Sequence, residues 1–264
     1  MKIAILGAGN LGLSIAKGLL ESEQAVCESL YLTKRNPASL MAFTKYPQAK
    51  IGTDNLEAVR NSDVIIVAVQ PGQLSGILEE IKPEITENKL VISTVTGRNI
   101  AVFESVLGAH IPIVRSMPNT ASAVGQSMTC LSANRAAQGK VKWAEAVFQP
   151  IGKTLLIEDE MMQAATVICA SGIAFWMRLI RATTQGAIQL GFDASEAKEL
   201  AVQTCLGAAS LLLESQNHPE TEIDKVTTPR GCTIAGLNEM EHAGMSSALI
   251  KGLVKSYEKI NSIK

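Results

Sequence analysis

Short runs of β-branched and aliphatic residues alternate with longer segments of helical spacing from the start of the chain to about residue 157. The runs KIAIL (2–6), SLYLT (29–33), DVIIVAV (63–69), KLVISTV (89–95), HIPIVRS (110–116), MTCLSA (128–133) and KTLLIE (153–158) have the length and composition of strands. Such alternation predicts β-α-β units and a mainly parallel sheet covered on both faces. DVIIVAV supports this, because a near-continuous apolar run suits a central strand buried on both sides. After Glu158 no strand pattern recurs, and the rest of the chain reads as helices rich in Ala, Leu and Gly. The expected fold class is α/β, with a mainly parallel sheet domain over 1–158 followed by an all-helical domain over 159–264.

In the last helical segment Leu249, Ile250, Leu253, Val254, Tyr257 and Ile260 recur on one face, with lysines elsewhere around it. Between Asp193 and Gln216 the small residues Ala201, Thr204, Cys205, Ala208 and Ala209 permit close helix approach. A helical half this apolar is expected to bury part of itself in a partner subunit, although small-residue packing within one chain is an equally plain account. The stretch AATVICASGIAFWM (164–177) is shorter than the roughly 20 residues of a membrane span, and Arg178 and Arg181 follow it. It is expected to be a buried helix.

Composition narrows the function classes. Of 264 residues 47% are hydrophobic and 19% charged, an ordinary globular balance. The net charge of −1 provides no argument for nucleic acid or an anionic membrane as partner. Cysteines at 27, 130, 169, 205 and 232 form no CxxC pair and have no histidine at metal-ligand spacing, so no metal site is expected. They read as reduced thiols of a cytoplasmic protein. The apolar run at the start stops at Leu6, too early for a secretory signal.

Gly7, Gly9 and Gly12 form GxGxxG directly after KIAIL and directly before the helical pattern LGLSIAKGLL. In that context the motif points to a Rossmann-type dinucleotide domain: the glycines permit a tight turn, close approach to a pyrophosphate and close helix packing. The helix start at Asn10 and Leu11 then faces the phosphates. An acidic residue after the second strand would hold the ribose of NAD; Thr33, Lys34, Arg35 and Asn36 stand there instead. A hydroxyl and two cations suit a 2′-phosphate, so NADPH is the expected cofactor, with NADH as an alternative donor. The loop Ala68-Val69-Gln70-Pro71 should meet the dinucleotide at the carboxyl end of its strand, and Asn55 is a candidate on the adenosine side, although a polar helix start explains it equally well.

The stretch TTPRGCT (227–233) stands ahead of a helical segment. Thr228 suits a helix cap, Pro229 the first helical position, and Gly231, Cys232 and Thr233 would then offer unpaired N–H groups to an anion such as a carboxylate.

Taken with ILGAGNLG, these motifs resemble the pyrroline-5-carboxylate reductase family across nearly the whole chain: AVQP, VRSMPNTASAVGQSMT, IGKTLLIEDEMMQAAT, ASGIAFW, QTCLGAASLL and VTTPRGCTIAGL follow in order. The resemblance implies that the helical half is a dimerisation and substrate domain. It further implies NADPH-dependent reduction of L-1-pyrroline-5-carboxylate to L-proline, the closing step of proline biosynthesis, in a homodimer or an oligomer built from dimers. Gly231, Cys232, Thr233, Ser171 and Asn119 would bind substrate, Thr233 meeting the ring nitrogen, while Met117 and Pro118 would line the same cleft beside the cofactor. The sequence departs from the family at Gln70 (usually lysine), at Ile173 and Phe175 in SGIAF (usually SGPAY), at Ala121 (usually proline) and at Arg230 (usually small). A hydroxyacid dehydrogenase would need a lysine on the first long helix of the second domain, and none occurs between Asp159 and Gly191. Reduction of another cyclic imine and non-enzymatic NADP(H) sensing are the alternatives.

Overall fold

The computed structural model describes residues 1–23 and 27–262. Eight strands form one sheet: β1 (Lys2–Leu6), β2 (Ser29–Thr33), β3 (Ala49–Gly52), β4 (Val64–Val67), β5 (Leu90–Ser93), β6 (Ile113–Met117), β7 (Ser127–Ala133) and β8 (Gly152–Leu156). Their order is β3-β2-β1-β4-β5-β6-β7-β8, parallel except where β7 runs antiparallel to β6. The chain reverses its direction of travel across the sheet between β1 and β4, the switch point at which doubly wound sheets bind ligands.

All seven sequence-predicted strands are present. The eighth, β3, was not anticipated: AKIG is a short, half-exposed edge strand, held by pairing Leu30 with Ala49 through Thr33 with Gly52. Its stability comes from β2, so its own side chains carry no long apolar run.

The buried strands sort their side chains with a period of two. In β4, Val64 and Ile66 join one core with Ile3, Ile5, Leu90 and Ile92, whereas Ile65 and Val67 join the opposite core with Ala4, Leu6 and Val91. Each fully buried aliphatic side chain contributes about 1.5–3 kcal/mol relative to exposure, which favours placing this run centrally.

The helices covering the sheet are α1 (Asn10–Glu21), α2 (Asn55–Arg60), α3 (Leu74–Ile81), α4 (Ile100–Leu107) and α5 (Val141–Phe148). In α1 the buried residues Gly12, Ile15, Ala16 and Leu19 recur at helical spacing and face the β4 side chains Val64 and Ile66 in one core. Asp54 caps α2 by accepting from Glu57 N at 3.0 Å, and Asn99 caps α4 by accepting from Val102 N at 3.3 Å.

A short helix α6 (Met162–Ala165) continues through a π-helical stretch, Thr166–Ser171, into α7 (Gly172–Gln189); α8 (Ala194–Ser215), α9 (Pro219–Val226), α10 (Cys232–His242) and α11 (Met245–Asn261) complete the chain. Two compact units result, one of Met1–Ser171 with the segment from Tyr257 onward, the other of Gly172–Ser256. In the second unit α7 and α8 pack together, and Asp193 caps α8 by accepting from Ser195 N at 2.7 Å and Glu196 N at 3.1 Å.

The stretch 164–177 is helical but not a buried helix as expected. Ile168, at the end of the first unit, and Trp176 and Met177, on α7 of the second, are more than half exposed in the single chain. Nor is it short: Asp159–Gln189 is a continuous helical run long and apolar enough, by length and composition, to cross a membrane. Leu190, Leu206, Leu211, Leu213, Ile250 and Val254 are also exposed, so the apolar face of this half lies uncovered in the single chain.

Candidate functional site

The turn after β1 is built by backbone hydrogen bonds that only a glycine-rich segment allows. Gly7 N and Ala8 N both donate to Thr33 O, at 3.1 and 2.9 Å, fastening the turn to the end of β2. Gly7 has φ +78°, in the left-handed region, and a Cβ there would run into Val69 Cγ1. Leu13 N donates to Gly9 O at 2.8 Å as the first bond of α1. The N–H groups of Asn10, Leu11 and Gly12 have no partner among the described residues, which leaves the positive end of α1 with unpaired donors.

Two cavities open at this helix start. One, of about 540 Å³, is lined by Gly7, Gly9, Thr33, Lys34, Arg35, Asn36, Thr53, Asn55, Gln73 and Ile77. The other, of about 460 Å³, is lined by Asn10, Leu11, Pro71, Thr94 and Thr96. Gly9, Ala68, Val69 and Gln70 belong to both, so they form one groove over the carboxyl ends of β2, β1, β4 and β5. Its shape and donors fit a dinucleotide, with the pyrophosphate at the start of α1.

At one end of the groove Thr33 Oγ1 donates to Asn55 Oδ1 at 2.6 Å, and Asn55 Nδ2 donates to both carboxylate oxygens of Glu80 at 3.2 and 3.1 Å. Asn55 is therefore held as part of the groove wall; the cap of α2 is Asp54. Lys34 Nζ donates to Ser39 Oγ at 2.8 Å, while Arg35 is exposed and without a hydrogen-bond or ion-pair partner among the described residues. No carboxylate lines either cavity. This end is suited to a phosphate monoester on the ribose.

Of the fifteen cofactor residues named from sequence, Gly7, Gly9, Asn10, Leu11, Thr33, Lys34, Arg35, Asn55, Ala68, Val69, Gln70 and Pro71 line the groove. Gly12 is buried against Ile5 and Ala68, the close helix packing expected of the third glycine. Met117 and Pro118 are buried and line neither cavity; Met117 packs with Cys130 and Met162. Sequence reasoning missed Thr53, Gln73, Ile77, Thr94 and Thr96. Thr94 and Thr96 follow β5 as Gln70 follows β4, so the same rule of strand carboxyl ends reaches them; Thr53 follows the unanticipated β3.

Asn119 is 8% exposed, and its amide is already committed on two sides. Oδ1 accepts from Ala121 N at 2.9 Å and Nδ2 donates to Cys169 O at 2.9 Å, tying the segment after β6 to the π-helical stretch that ends at Ser171. One amide hydrogen remains for a ligand. Ser171 is exposed.

The stretch 227–233 is built differently from the expectation. Gly231 N donates to Thr228 O at 2.9 Å, closing a turn with Pro229 and Arg230 at its corners. Arg230 has φ +62°, a left-handed position usually taken by Gly or Asn. The helix α10 starts at Cys232 with Gly231 as its cap. Thr228 is not the cap, Pro229 is not the first helical residue, and the Gly231 N–H is not free, because the turn consumes it. A Cβ on Gly231 would run into Thr228 Oγ1, so the turn requires glycine there. The N–H groups of Cys232, Thr233 and Ile234 and the Thr233 hydroxyl have no partner among the described residues. The unpaired N–H groups of this helix start thus lie one residue further along than expected.

No group of acidic, histidine and cysteine side chains able to hold a metal occurs among the described residues. His218 caps α9, His242 lies in the last turn of α10, His110 contacts Gly108, and none lines the groove.

Residues 159–263 match the family profile described as pyrroline-5-carboxylate reductase dimerisation, and residues 2–97 the one described as NADP oxidoreductase, coenzyme F420-dependent. The chain is 46% identical to pyrroline-5-carboxylate reductase 1 of Dictyostelium discoideum over 99% of its own length and 49% of that protein, so it spans about half of this relative. It is 41% identical to pyrroline-5-carboxylate reductase 2 of the same organism, with 97% of this chain and 91% of that one covered. The crystal structure of Plasmodium falciparum pyrroline carboxylate reductase with NADP bound matches the fold at a TM-score of 0.90 and 24% identity, covering 99% of this chain and 97% of that one.

Proposed function

The chain belongs to the pyrroline-5-carboxylate reductase family, and we propose that its reaction is the NADPH-dependent reduction of L-1-pyrroline-5-carboxylate to L-proline, the last step of proline biosynthesis. The observation that carries this reading is the match to relatives of that name across 97% of the chain, groove and helical half together.

NADPH, when bound, supplies the hydride that reduces the imine carbon. The N–H groups of Asn10 and Leu11 would hold the pyrophosphate, Thr33, Lys34 and Arg35 the 2′-phosphate, and Ala68 to Pro71 with Thr94 and Thr96 the remainder of the groove. The start of α10 holds the substrate carboxylate on the N–H groups of Cys232, Thr233 and Ile234, and the Thr233 hydroxyl orients the ring nitrogen. Asn119 and Ser171 are assigned to the substrate end of the first unit, Asn119 mainly by holding the π-helical stretch in place. An imine is more basic than a carbonyl and can arrive protonated, so no side-chain acid is required, which agrees with the positions of the three histidines.

The exposed apolar helices of the second half are assigned to contact between two copies of the chain, since they fall within the segment matched to the dimerisation profile. All five cysteines are free thiols, the usual state in a reducing compartment, and the cytoplasm is the proposed location.

The test is NADPH oxidation by the purified protein with pyrroline-5-carboxylate, followed by absorbance, with proline identified as product. Turnover only with a different cyclic imine moves the assignment to that substrate. Tight NADPH binding with no turnover of any imine makes the protein a sensor of the dinucleotide.

A further inference from the structure

Two of the five cysteines form a close pair. Cys130 on β7 and Cys169 in the π-helical stretch place their Sγ atoms 3.9 Å apart, within an S–H···S hydrogen bond. The two sides of the pair differ in backbone setting and access. Cys130 is 3% exposed and lies on the next-to-edge strand β7, paired on both sides, with Met117 on β6 and Leu155 on β8. Cys169 is partly exposed, in a stretch whose hydrogen-bond register departs from the α-helix on either side. We propose that Cys130 and Cys169 are a redox-responsive modification site, oxidised by a hydroperoxide to a disulfide that lowers reductase turnover.

The chemistry balances with peroxide as the oxidant. The Cys169 thiolate attacks one peroxide oxygen; an Sγ–O bond forms, the O–O bond breaks and hydroxide leaves, giving a sulfenic acid. Cys130 then attacks that sulfur; the Sγ–Sγ bond forms, the S–O bond breaks, and the hydroxyl leaves with the Cys130 proton as water. Two thiols lose two electrons and the peroxide gains them. The environment assigns the roles in this order: the hydrogen bond from Cys130 holds the Cys169 thiol below its ordinary range, while the same pairing and burial raise that of Cys130. By contrast Cys27, pushed up to about 11 by burial, meets the Ser29 carbonyl and no sulfur among the described residues.

Bond formation requires the sulfurs to close from 3.9 Å to about 2.05 Å. The sheet ladder holds the Cys130 backbone, so the adjustment falls on Cys169 and the π-helical stretch that carries it. That stretch carries the Cys169 carbonyl bonded to Asn119 Nδ2, and it ends at Ser171. The consequence for turnover rests on the substrate role proposed above for Asn119 and Ser171.

The full-length protein is treated with hydrogen peroxide and mapped by non-reducing peptide mass spectrometry, with kcat/KM for pyrroline-5-carboxylate measured in parallel. Expected are a peptide linking Cys130 to Cys169, a fall in kcat/KM of about tenfold or more, and recovery of both on addition of a dithiol. Cys130→Ser should keep its activity before treatment, form no link, and accumulate a dimedone-reactive sulfenic acid at Cys169. No linked peptide in wild type, or a link that leaves kcat/KM unchanged, overturns the proposal. A reduced protein that never turns over pyrroline-5-carboxylate is instead a failure of the functional reading, while the linked peptide is detected independently of activity.

Discussion

Replacing Arg35 with alanine isolates the interaction that should separate NADPH from NADH. Arg35 is exposed and has no partner among the described residues, so the fold does not lean on it, and the stability change should stay within about 0.5 kcal/mol. Its neighbour Lys34 already donates one hydrogen bond to Ser39 at 2.8 Å, whereas Arg35 has no partner among the described residues to give up on meeting a 2′-phosphate. A charge-assisted hydrogen bond contributes about 1.5–3 kcal/mol, and about 1.4 kcal/mol corresponds to tenfold. Kd for NADPH should therefore rise roughly 10- to 100-fold, toward the lower end because the site is open to water and screened by salt. NADH lacks the 2′-phosphate, and its Kd should change less than about twofold, within the scatter of a surface substitution. Fluorescence titration of both cofactors at two ionic strengths, with melting temperature as control, measures each quantity. Equal weakening of NADPH and NADH would refute the reasoning, since it would mean that Arg35 shapes the groove rather than reading the phosphate.

Thr233→Ala should lower kcat/KM for pyrroline-5-carboxylate by roughly 10- to 100-fold, the loss of a positioned hydrogen bond, while leaving NADPH affinity unchanged; unchanged turnover would remove Thr233 from the substrate site. Arg230→Gly should raise stability by about 0.5–1 kcal/mol, the left-handed cost of about 1–2 kcal/mol relieved less the greater chain entropy of glycine, readable as a higher melting temperature. Gly7→Ala should weaken both cofactors alike, because φ +78° and the contact with Val69 Cγ1 distort the turn that every dinucleotide shares, and an NADPH-selective loss would contradict that. Sedimentation should show a stable dimer at micromolar concentration, and an active monomer would leave the exposed apolar helices without an occupant.

Much of the first half was legible along the chain because its forces are local or periodic. Six of the seven strands read from apolar runs are largely buried, and a strand buried on both faces has to be apolar at successive positions; β8 is apolar yet mostly exposed in the single chain. GxGxxG could be placed on a strand-turn-helix, since glycine is the residue that tolerates φ +78° against Val69. The absence of an acidic residue at 33–36 is likewise a matter of residue type, and the groove end at Thr33, Lys34 and Arg35 reflects it.

What remained illegible depended on partners distant in sequence. The strand β3 exists because β2 offers it a ladder, and nothing in AKIG announces that. Asn55 could equally have been a plain helix start until the fold brought Thr33 and Glu80 to its two ends. The beginning of α10 lies at Cys232 and not at Pro229 because Gly231 N–H closes a turn onto Thr228 O, a competition between two hydrogen bonds that residue preferences do not settle. The stretch 164–177 has the composition of a core helix, yet composition reports only that a surface is apolar; which surface covers it is decided by the layers that a given chain, or a pair of chains, can supply. The sulfurs of Cys130 and Cys169, 39 residues apart, meet only because β7 and the π-helical stretch pack together. Residue type and period determined the sheet, the glycine turn and the charge of the cofactor end; contacts across the sequence decided the edges, the helix start and the thiol pair, since each of those is a bond whose second partner lies elsewhere in the chain.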